Sequence, residues 1–469
     1  MTSLLESRLA TTDRPAAPRP ARNAWAVASA AVIWGTSIIV AALWLRGGGI
    51  QAVLAGGGDA LTTLGRATGL AASNLLLYQV LLMARVPVFE RGLGRDTITR
   101  WHRLTGFWSF WLMLAHVTLV TLGYGATGHV DLVHQVWGFV TLYPGMLLAT
   151  AGTAALVAVV VLSIRAARRR MRYESWHLLH LYAYVGVGLA LPHQLWTGAD
   201  FLSSPLATTY WWTLWAVAAG SVVVFRVLLP LWRSARHGLR VESVVRDGSR
   251  GVVVTLRGRH LDRLGAVAGQ FMVFRFLDGP GWTRGHPFSL AAAPDGRRLV
   301  VAARVVGDGT RRMTRMRPGT RVLVEGPYGL MTGEARTGRR LLMMGAGAGV
   351  APLVALLQEQ PWRQGEAVLV TRDHHAGDAL LTGPVEDLVT GRGLAWYRID
   401  GQRTLTGPSW LPVQYAAWTG PDILREMAGP LHTYDVYLCG PDPWMDAVRK
   451  DLAAAGVRPS RVHAESFSI

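Results

Sequence analysis

The chain has 469 residues, enough for roughly two to four domains. Half of the residues are hydrophobic, which favours a membrane protein, and the formal charge of +18 lies in short clusters beside apolar runs. No basic face interleaved with aromatic residues is evident, so nucleic acid is not expected as a partner. Cys439 is the single cysteine, which excludes internal disulfides and thiolate metal clusters.

The N-terminal half contains a tail and then apolar segments of spanning length. Residues 1–22 are rich in Pro, Ala, Arg and Thr and predict a disordered tail. Six apolar segments follow, each long enough to cross a bilayer as a helix: 24–45, 67–87, 104–123, 142–164, 174–196 and 208–231. The first is longer than the apolar part of a signal peptide and precedes no persuasive cleavage site, so we interpret it as a retained helix.

Arginines in alternate loops predict the orientation. They precede the first segment, separate the second from the third and the fourth from the fifth, and follow the sixth; examples are Arg14, Arg19, Arg22, Arg91, Arg95, Arg100, Arg103, Arg165, Arg168, Arg169, Arg170, Arg172, Arg233, Arg236 and Arg240. The intervening loops are nearly free of arginine. Because basic loops stay on the cytoplasmic side, we expect a multi-pass protein of the cytoplasmic membrane with both termini inside.

Four histidines in or beside two of these segments are the first candidate site. His102 lies just before the third segment and His116 within it, and His180 and His193 lie within the fifth, with nearly equal spacing within each pair. A helix rises about 1.5 Å per residue, so each pair spans roughly 20 Å along the membrane normal. The topology makes both segments run in one direction, which pairs His102 with His180 near the cytoplasm and His116 with His193 near the outside. Neutral imidazoles at matched depths predict two bis-histidine heme sites.

The assignment of the inner ligand has an alternative. His177 lies one helical turn before His180 and would replace it, although its spacing to His193 matches the partner helix less well. A regular helix would also turn His193 away from the face of His180, and Pro192 is expected to distort the helix there. His129 and His134 fall in an outer loop, where solvated and acceptor-binding roles both remain open.

From about residue 237 the pattern changes to short alternating runs separated by Gly, Pro and Asp. These runs predict a small antiparallel β-barrel: 241–245, 252–256, 271–276, 299–306 and 322–325. Glycines that include Gly309 precede Thr310 and a short helix, an arrangement that suits a pyrophosphate at a helix N-terminus. The alternative is a series of ordinary barrel turns.

An α/β pattern with a glycine-rich loop follows the barrel. The compact strand 341–344 leads into Gly345, Gly347 and Gly349, with Pro352 in the first turn of an apolar helix. Glycines at such a strand end let a dinucleotide phosphate approach the backbone closely, although this loop lacks the full fingerprint. A second strand over 367–371 ends in Arg372, where a 2′-phosphate would lie. Asp373 follows at once, which leaves NADPH and NADH both open.

The order of helices, barrel and nucleotide domain resembles the ferric reductase and NADPH oxidase superfamily, from residue 24 to the end. In that superfamily the paired histidines of the third and fifth helices bind two b-type hemes. The segment from His286 through Pro287 and Phe288 to Ser289 is similar to its flavin motif, and the loop from Gly345 to Pro352 to its nicotinamide-nucleotide loop.

The resemblance also implies roles near the C-terminus. Cys439 and Gly440 are similar to the segment beside the nicotinamide, and Glu465 to Phe467 to the C-terminal aromatic segment that covers the flavin. Two further residues follow Phe467. This departure from the superfamily pattern weakens the comparison at that position.

The implied fold is a membrane helical bundle of six transmembrane helices, a cytoplasmic FAD-binding antiparallel β-barrel and an α/β Rossmann-like nucleotide-binding domain. The expected domains are a tail and three folded parts: 1–22, 23–232, 237–332 and 336–469. The implied activity is transfer of electrons from NAD(P)H through FAD and two hemes to oxygen or a ferric chelate outside the membrane. Alternatives are a heme-bearing subunit that serves a partner protein and a noncatalytic membrane scaffold.

Overall fold

The computed structural model describes residues 20–466 apart from 172, 203, 280 and 404–408. Most of the predicted tail over 1–22 therefore lies outside the described residues. The chain divides into two compact units, one over Arg22–Val227 and one that contains Leu228 and all that follows. We call them the membrane unit and the soluble unit and describe each by itself.

The membrane unit is built of helices, several of them longer than 20 residues. In chain order they are α1 (Pro20–Arg46), α2 (Gly49–Ala55), α3 (Gly57–Met83), α4 (Pro87–Leu93), α5 (Arg95–Gly128), α6 (Leu132–Leu142), α7 (Met146–Ser163), α8 (Arg165–Arg168), α9 (Tyr173–Thr197), α10 (Ala199–Leu202) and α11 (Pro205–Val222). A π-helical segment, Val223–Leu228, follows α11 and leads into the soluble unit. Helix α9 continues through Pro192.

Four helical stretches among the described residues are long and apolar enough to cross a membrane: Val27–Arg46, Thr97–Gly128, Met146–Ser163 and Pro205–His237. They correspond to the first, third, fourth and sixth predicted segments. The second and fifth coincide with α3 and α9, which have 27 and 25 residues but are less apolar. Polar side chains such as Asn74 in α3 and Gln194 in α9 make these helices less apolar. Both side chains are buried.

Glycines let the helices of the membrane unit approach each other closely. A Cβ atom on Gly65 of α3 would lie 2.9 Å from the backbone nitrogen of Val120 in α5. Likewise, a Cβ atom on Gly152 of α7 would lie 2.7 Å from the carbonyl oxygen of Gly186 in α9. Small residues at such contacts are typical of helices that associate within a membrane. The pairs α3–α5 and α7–α9 are thereby fixed in register.

The soluble unit begins with helix α12 (Leu229–His237) and an antiparallel domain. Its strands are β1 (Arg240–Asp247), β2 (Gly251–Arg257), β3 (Phe271–Phe276), β4 (His286–Ser289), β5 (Arg298–Arg304) and β6 (Val322–Tyr328), with a short helix α13 (Asp308–Met313) before β6. Alternating apolar residues bury one face of each strand, as Val252, Val254 and Leu256 do in β2. The strands form two sheets, β1-β2-β5 and β4-β3-β6, and isolated antiparallel bridges between Leu290 and Val301 and between Arg240 and Arg321 connect them.

The second domain of the soluble unit is a parallel sheet covered by helices on both faces. Its elements are β7 (Arg340–Ala346), α14 (Val350–Glu359), β8 (Ala367–Asp373), α15 (Thr382–Arg392), β9 (Ala395–Asp400), α16 (Gly420–Ala428), β10 (Tyr434–Gly440), α17 (Asp442–Ala454) and β11 (Val462–Ser466). The strand order is β11-β10-β7-β8-β9. From β7 the chain adds β8 and β9 on one side of the sheet and then places β10 and β11 on the other side. Sheets of this kind bind ligands in the crevice at the carboxyl ends of the two strands where the order reverses, which here are β7 and β10.

Candidate functional site

Helix packing in the membrane unit orients His116. Its Nδ1 donates a hydrogen bond of 2.8 Å to the carbonyl oxygen of Gly65. Because a carbonyl oxygen only accepts, Nδ1 carries the ring hydrogen and Nε2 retains its lone pair. A Cβ atom on Gly69 would lie 2.5 Å from the same Nδ1, so only glycine leaves room for the ring there. A fixed tautomer of this kind is typical of an imidazole that binds a metal.

The inner pair brings together helices α5 and α9. The ring centroids of His102 and His180 lie 6.0 Å apart, with an angle of 70° between the ring planes. The hydroxyl of Ser163 donates to the carbonyl oxygen of Val159 at 2.7 Å and therefore accepts the bond of 3.2 Å from Nδ1 of His180. This contact again leaves Nε2 with a lone pair. His177, the alternative ligand, is solvent-exposed.

The outer pair is completed by His193, one residue after Pro192. It lies close enough to His116 for the charged forms of the two rings to repel each other. A Cβ atom on Gly145 would lie 2.7 Å from the backbone nitrogen of His193, so this glycine admits the helix at that point. Within the described residues, the buried Nδ1 atom of His102 has no hydrogen-bond partner. A buried polar atom without a partner is rare and indicates a site built for a ligand.

In the soluble unit, the segment that resembles a flavin motif forms strand β4. His286 pairs with Phe274 of β3, and Ser289 pairs with Phe271. A Cβ atom on Gly309 would lie 2.6 Å from Cε1 of His286, so the glycine loop packs directly on the histidine ring. The structure thus brings together two motifs that lie more than twenty residues apart in the sequence.

Thr310 organises this loop through its hydroxyl group. Oγ1 accepts hydrogen bonds from the backbone N–H groups of Val306 at 3.0 Å and Gly307 at 3.2 Å. It donates in turn to the carbonyl oxygen of Gly307 at 3.1 Å. The side chain is therefore engaged within the loop and shapes the backbone that a phosphate would meet.

The glycine-rich loop between β7 and α14 lies at the crevice of the parallel sheet. Gly345 pairs with Cys439 across β7 and β10, so the ends of both strands meet there. A Cβ atom on Gly349 would overlap the carbonyl group of Cys439, and one on Gly345 would lie 3.0 Å from Leu353. Pro352 is buried in the first turn of α14. Only glycines allow a loop to pack this tightly against a strand end.

Cys439 and Glu465 lie side by side at the ends of β10 and β11. They are paired in register, and Gly329 of the antiparallel domain faces the carboxylate of Glu465. Burial, with a smaller contribution from the charge of Glu465, raises the pKa of the Cys439 thiol well above its usual range. The thiol therefore stays protonated at neutral pH. Gly440 follows Cys439 at the same edge, and Phe467 lies outside the described residues.

Arg372, the residue predicted to meet a 2′-phosphate, has a buried side chain. Arg372 is only 6% exposed, and its Nε donates to the carbonyl oxygen of Trp410 at 3.2 Å. Its Nη1 donates to the carbonyl oxygen of Asp373. Burial lowers the pKa of the Arg372 guanidinium. The guanidinium is thus bonded to backbone carbonyl oxygens, and a contact of Arg372 with a 2′-phosphate stays a prediction.

An ion pair that the sequence analysis missed joins the two domains of the soluble unit. Arg304, the last residue of β5, contacts the carboxylate of Asp373 at the end of β8 and donates to the carbonyl oxygen of Asp378 at 3.0 Å. The Cζ atom of Arg304 would lie 3.3 Å from a Cβ on Gly347. Burial raises the pKa of Asp373, and the charge of Arg304 opposes this. The available signal was an arginine at a strand end shortly before the Gly309 loop.

Comparisons with known proteins agree with both units. The family model described as ferric reductase like transmembrane component matches residues 68–191, which contain His102, His116 and His180 and end two residues before His193. Ferredoxin--NADP reductase B of Sorangium cellulosum is 31% identical over 211 residues, which cover 43% of this chain and 84% of that protein. NADPH oxidase 1 of Mus musculus is 27% identical over 151 residues, 31% of this chain and 24% of the oxidase.

The chain joins a part that matches the ferric reductase like transmembrane component to a part that belongs with the ferredoxin–NADP reductases. Another relative, the ferredoxin reductase component of 3-ketosteroid-9-alpha-monooxygenase from Rhodococcus rhodochrous, is 27% identical over 236 residues, 49% of this chain. The chain spans 64% of that relative's length, so the two proteins share a part rather than a whole architecture.

Proposed function

We propose that the protein is a transmembrane oxidoreductase that passes electrons from cytoplasmic NAD(P)H through FAD and two b-type hemes to an acceptor outside the membrane. The observation that carries this proposal is the pairing of His102 with His180 across two helices of the membrane unit. These two imidazoles would hold the iron of the inner heme, because neutral imidazole is a common ligand of heme iron and their ring centroids lie 6.0 Å apart.

The proposed heme ligands are His102 and His180 at the inner site and His116 and His193 at the outer site. The Nδ1 contacts of His116 and His180 support them, because each leaves Nε2 with a lone pair. The alternative, that buried histidines merely bond backbone carbonyls, applies to His116, which bonds Gly65, and to His193, which bonds Ala190. The proposal places six spanning helices in residues 23–232, with α3 and α9 as the two less apolar spans, and both termini in the cytoplasm.

In the soluble unit, the proposed FAD-binding domain covers 237–332 and the NAD(P)H-binding domain 336–469. Residues His286, Pro287, Phe288, Ser289, Gly309 and Thr310 would hold the flavin, and Gly345, Gly347, Gly349, Pro352 and Gly440 the nucleotide. When bound, a flavin takes two electrons as a hydride and delivers them singly to hemes, which accept one at a time. The chain itself would position these groups. Glu465 and the protonated Cys439 lie at the edge where the two domains of the soluble unit meet.

Heme quantification with a reduced-minus-oxidised absorption spectrum of the purified full-length protein tests this proposal. We expect two hemes of b type per chain. The matched variants His180→Ala and His177→Ala distinguish the inner ligands, since the first removes one heme and the second leaves both. A wild-type content of one heme contradicts the two-site arrangement, and loss of heme only in His177→Ala contradicts the choice of His180.

The acceptor is proposed to be oxygen, which would give superoxide, or ferric iron held by a chelator. Turnover of NAD(P)H by the purified protein, measured with and without oxygen and with and without a ferric chelate, separates the two. Turnover with ferric chelate in the absence of oxygen identifies an iron reductase. Superoxide formation that ferric chelate does not suppress identifies an oxidase.

A second candidate function is transfer of electrons to a partner protein. The observation in its favour is that a relative of the soluble unit is named as the reductase component of a monooxygenase. This function predicts that the purified protein oxidises NAD(P)H slowly with oxygen or ferric chelate until a partner is added. Robust turnover without any partner excludes it.

A further inference from the structure

Arginines line an open cleft in the soluble unit where helix α12 meets the antiparallel domain. The cleft has a volume of about 590 Å³ and is lined by Trp232, Ala235, Arg236, Arg259, His260 and Arg263. We call it the arginine cleft. Its residues have no part in the proposed flavin or nucleotide sites. Three guanidinium groups in one concave surface favour a ligand with a phosphate group, because guanidinium donors match phosphate oxygens in geometry and charge.

Hydrogen bonds between two chain segments hold the arginine cleft in shape. The backbone N–H of Arg259 donates to the carbonyl oxygen of His237 at 2.8 Å, and Nδ1 of His237 donates to the carbonyl oxygen of Arg259 at 2.9 Å. Arg259 Nη2 also donates to the carbonyl oxygen of Ala235 at 3.4 Å. Buried Leu261 and Leu264 anchor the short helical turn that carries Arg263. The end of α12 and the 259–263 loop are therefore fixed side by side before a ligand binds.

The charge of the arginine cleft is not balanced by the protein. Among the described residues, no carboxylate lies within ion-pairing distance of Arg236, Arg259 or Arg263. Elsewhere in the same domain, arginines do pair with acids, as Arg298 does with Glu242 at 2.7 Å. Like charges that converge without a counter-ion repel one another and raise the local affinity for anions. The arrangement favours an anionic ligand over a neutral one.

The position of the cleft in the chain points to the source of that anion. Trp232 and Arg236 lie at the C-terminal end of an apolar helical stretch, Pro205–His237, that is long enough to cross a membrane. Trp232 is 56% exposed, and the guanidinium carbon of Arg236 lies 5.4 Å from its ring centroid. Tryptophan is enriched at the interface between lipid and water, and arginines just beyond a membrane span attract anionic headgroups.

We propose that the arginine cleft binds the phosphate headgroup of an anionic membrane lipid, with Arg236, Arg259 and Arg263 as its ligands. Trp232 would rest against the glycerol and upper acyl region. This site goes beyond the proposed electron transfer and does not depend on it, since its residues are separate from those of the cofactor sites.

Native mass spectrometry of the detergent-solubilised full-length protein, titrated with phosphatidylglycerol, tests the proposal. The double variant Arg259→Gln/Arg263→Gln should bind this lipid roughly fivefold more weakly per arginine removed. Arg263→Lys, which keeps the charge, should retain most of the binding. The control Arg246→Gln removes an exposed arginine of β1 that lies outside the cleft and should bind as the wild type does.

Two further measurements decide the specificity and the source of the phosphate. Phosphatidylcholine should bind the wild type and the double variant equally. Inorganic phosphate at a concentration equal to that of the lipid should leave phosphatidylglycerol bound. The proposal is overturned if Arg246→Gln weakens binding as much as the double variant does, because the effect is then one of net charge. It is also overturned if inorganic phosphate displaces the lipid at equal concentration, because the cleft is then a site for soluble phosphate.

Discussion

The two units place their functional atoms in opposite ways. In the membrane unit, single side chains such as His116 and His180 are aimed by contacts between whole helices, and glycines such as Gly69 set the distance. In the soluble unit, the backbone at strand ends forms the crevice, and Gly345 and Gly349 keep it open. The difference indicates where each unit is sensitive: the membrane unit to the identity of a few side chains, the soluble unit to the path of its loops.

The largest expected effect is that of His116→Ala in the membrane unit. Loss of an axial ligand should remove the outer heme and abolish reduction of the external acceptor. Reduction of the flavin by NAD(P)H should persist, because it takes place in the other unit. Heme content and stopped-flow flavin absorbance measure the two stages. If flavin reduction also disappears in a folded variant, the two stages are not separate.

Gly69→Leu tests whether helix spacing aims His116. The new side chain would occupy the space of the imidazole ring, so we expect the content of heme to fall from two per chain to one. Gly188→Leu is the matched control on α9, since a Cβ there meets nothing within 4 Å. Equal heme loss in both variants would mean that a large side chain anywhere in these helices is harmful. Gly69 would then have no specific role in aiming His116.

Gly349→Val tests the backbone path in the soluble unit. Its side chain would collide with the carbonyl group of Cys439 and displace the loop, which should slow flavin reduction on the order of 10²-fold. The content of heme should stay at the wild-type value. Gly383→Ala in α15, where a Cβ meets nothing within 4 Å, is the control. A rate for Gly349→Val within twofold of the control would contradict the assignment of this loop to the nucleotide.

A smaller effect is expected from Asp435→Asn, which lies away from the crevice. Burial alone would raise the pKa of Asp435, but hydrogen bonds from His463 and from the backbone N–H groups of Thr337 and Gly338 hold it at about 2. Because this pKa is depressed on folding, its contribution of roughly 2 kcal/mol is present above pH 4 and is lost as the pH falls toward 2. Urea titrations followed by tryptophan fluorescence should show the variant destabilised at pH 7 and the difference shrinking below pH 4. A difference independent of pH would show that the charge is not responsible.

The smallest expected effect is on nucleotide preference in Arg372→Gln. Since the guanidinium is bonded to backbone carbonyls, its loss should lower the stability of the soluble unit by about 1–3 kcal/mol and weaken NADPH and NADH alike. Michaelis constants for NADPH and NADH measure the loss of nucleotide affinity. A selective loss of NADPH affinity would show that Arg372 turns outward when the nucleotide binds.

The sequence predicted the fold well where residues repeat with a clear period. The strands at Phe271–Phe276 and Ala367–Asp373 carry continuous or alternating apolar residues, and both were anticipated. Strand β4 has four residues, one of them a proline, and β9 exposes much of its length, so neither gives a strong pattern. These elements form because neighbouring strands offer hydrogen bonds, and that information is not local in sequence.

Side-chain orientation explains the remaining differences at the candidate site. The spacing of the four histidines along their helices can be read from the sequence, whereas the exposure of His177 relative to His180 depends on how α9 rotates against α5 and α7. The inward turn of Arg372 depends on Trp410, which lies 38 residues away and offers its carbonyl oxygen. No local signal distinguishes an arginine that meets a ligand from one that ties down a distant loop.

The order of strands in the parallel sheet has a consequence for biosynthesis. The crevice needs β7 and β10 as neighbours, yet two strands and three helices are made between them. During translation the helices of the membrane unit emerge long before β10, and the pairing of Gly345 with Cys439 must wait for it. A nascent or prematurely terminated chain would therefore carry the histidine helices without a nucleotide crevice. Such a chain could not take electrons from NAD(P)H, so incomplete molecules would be inactive.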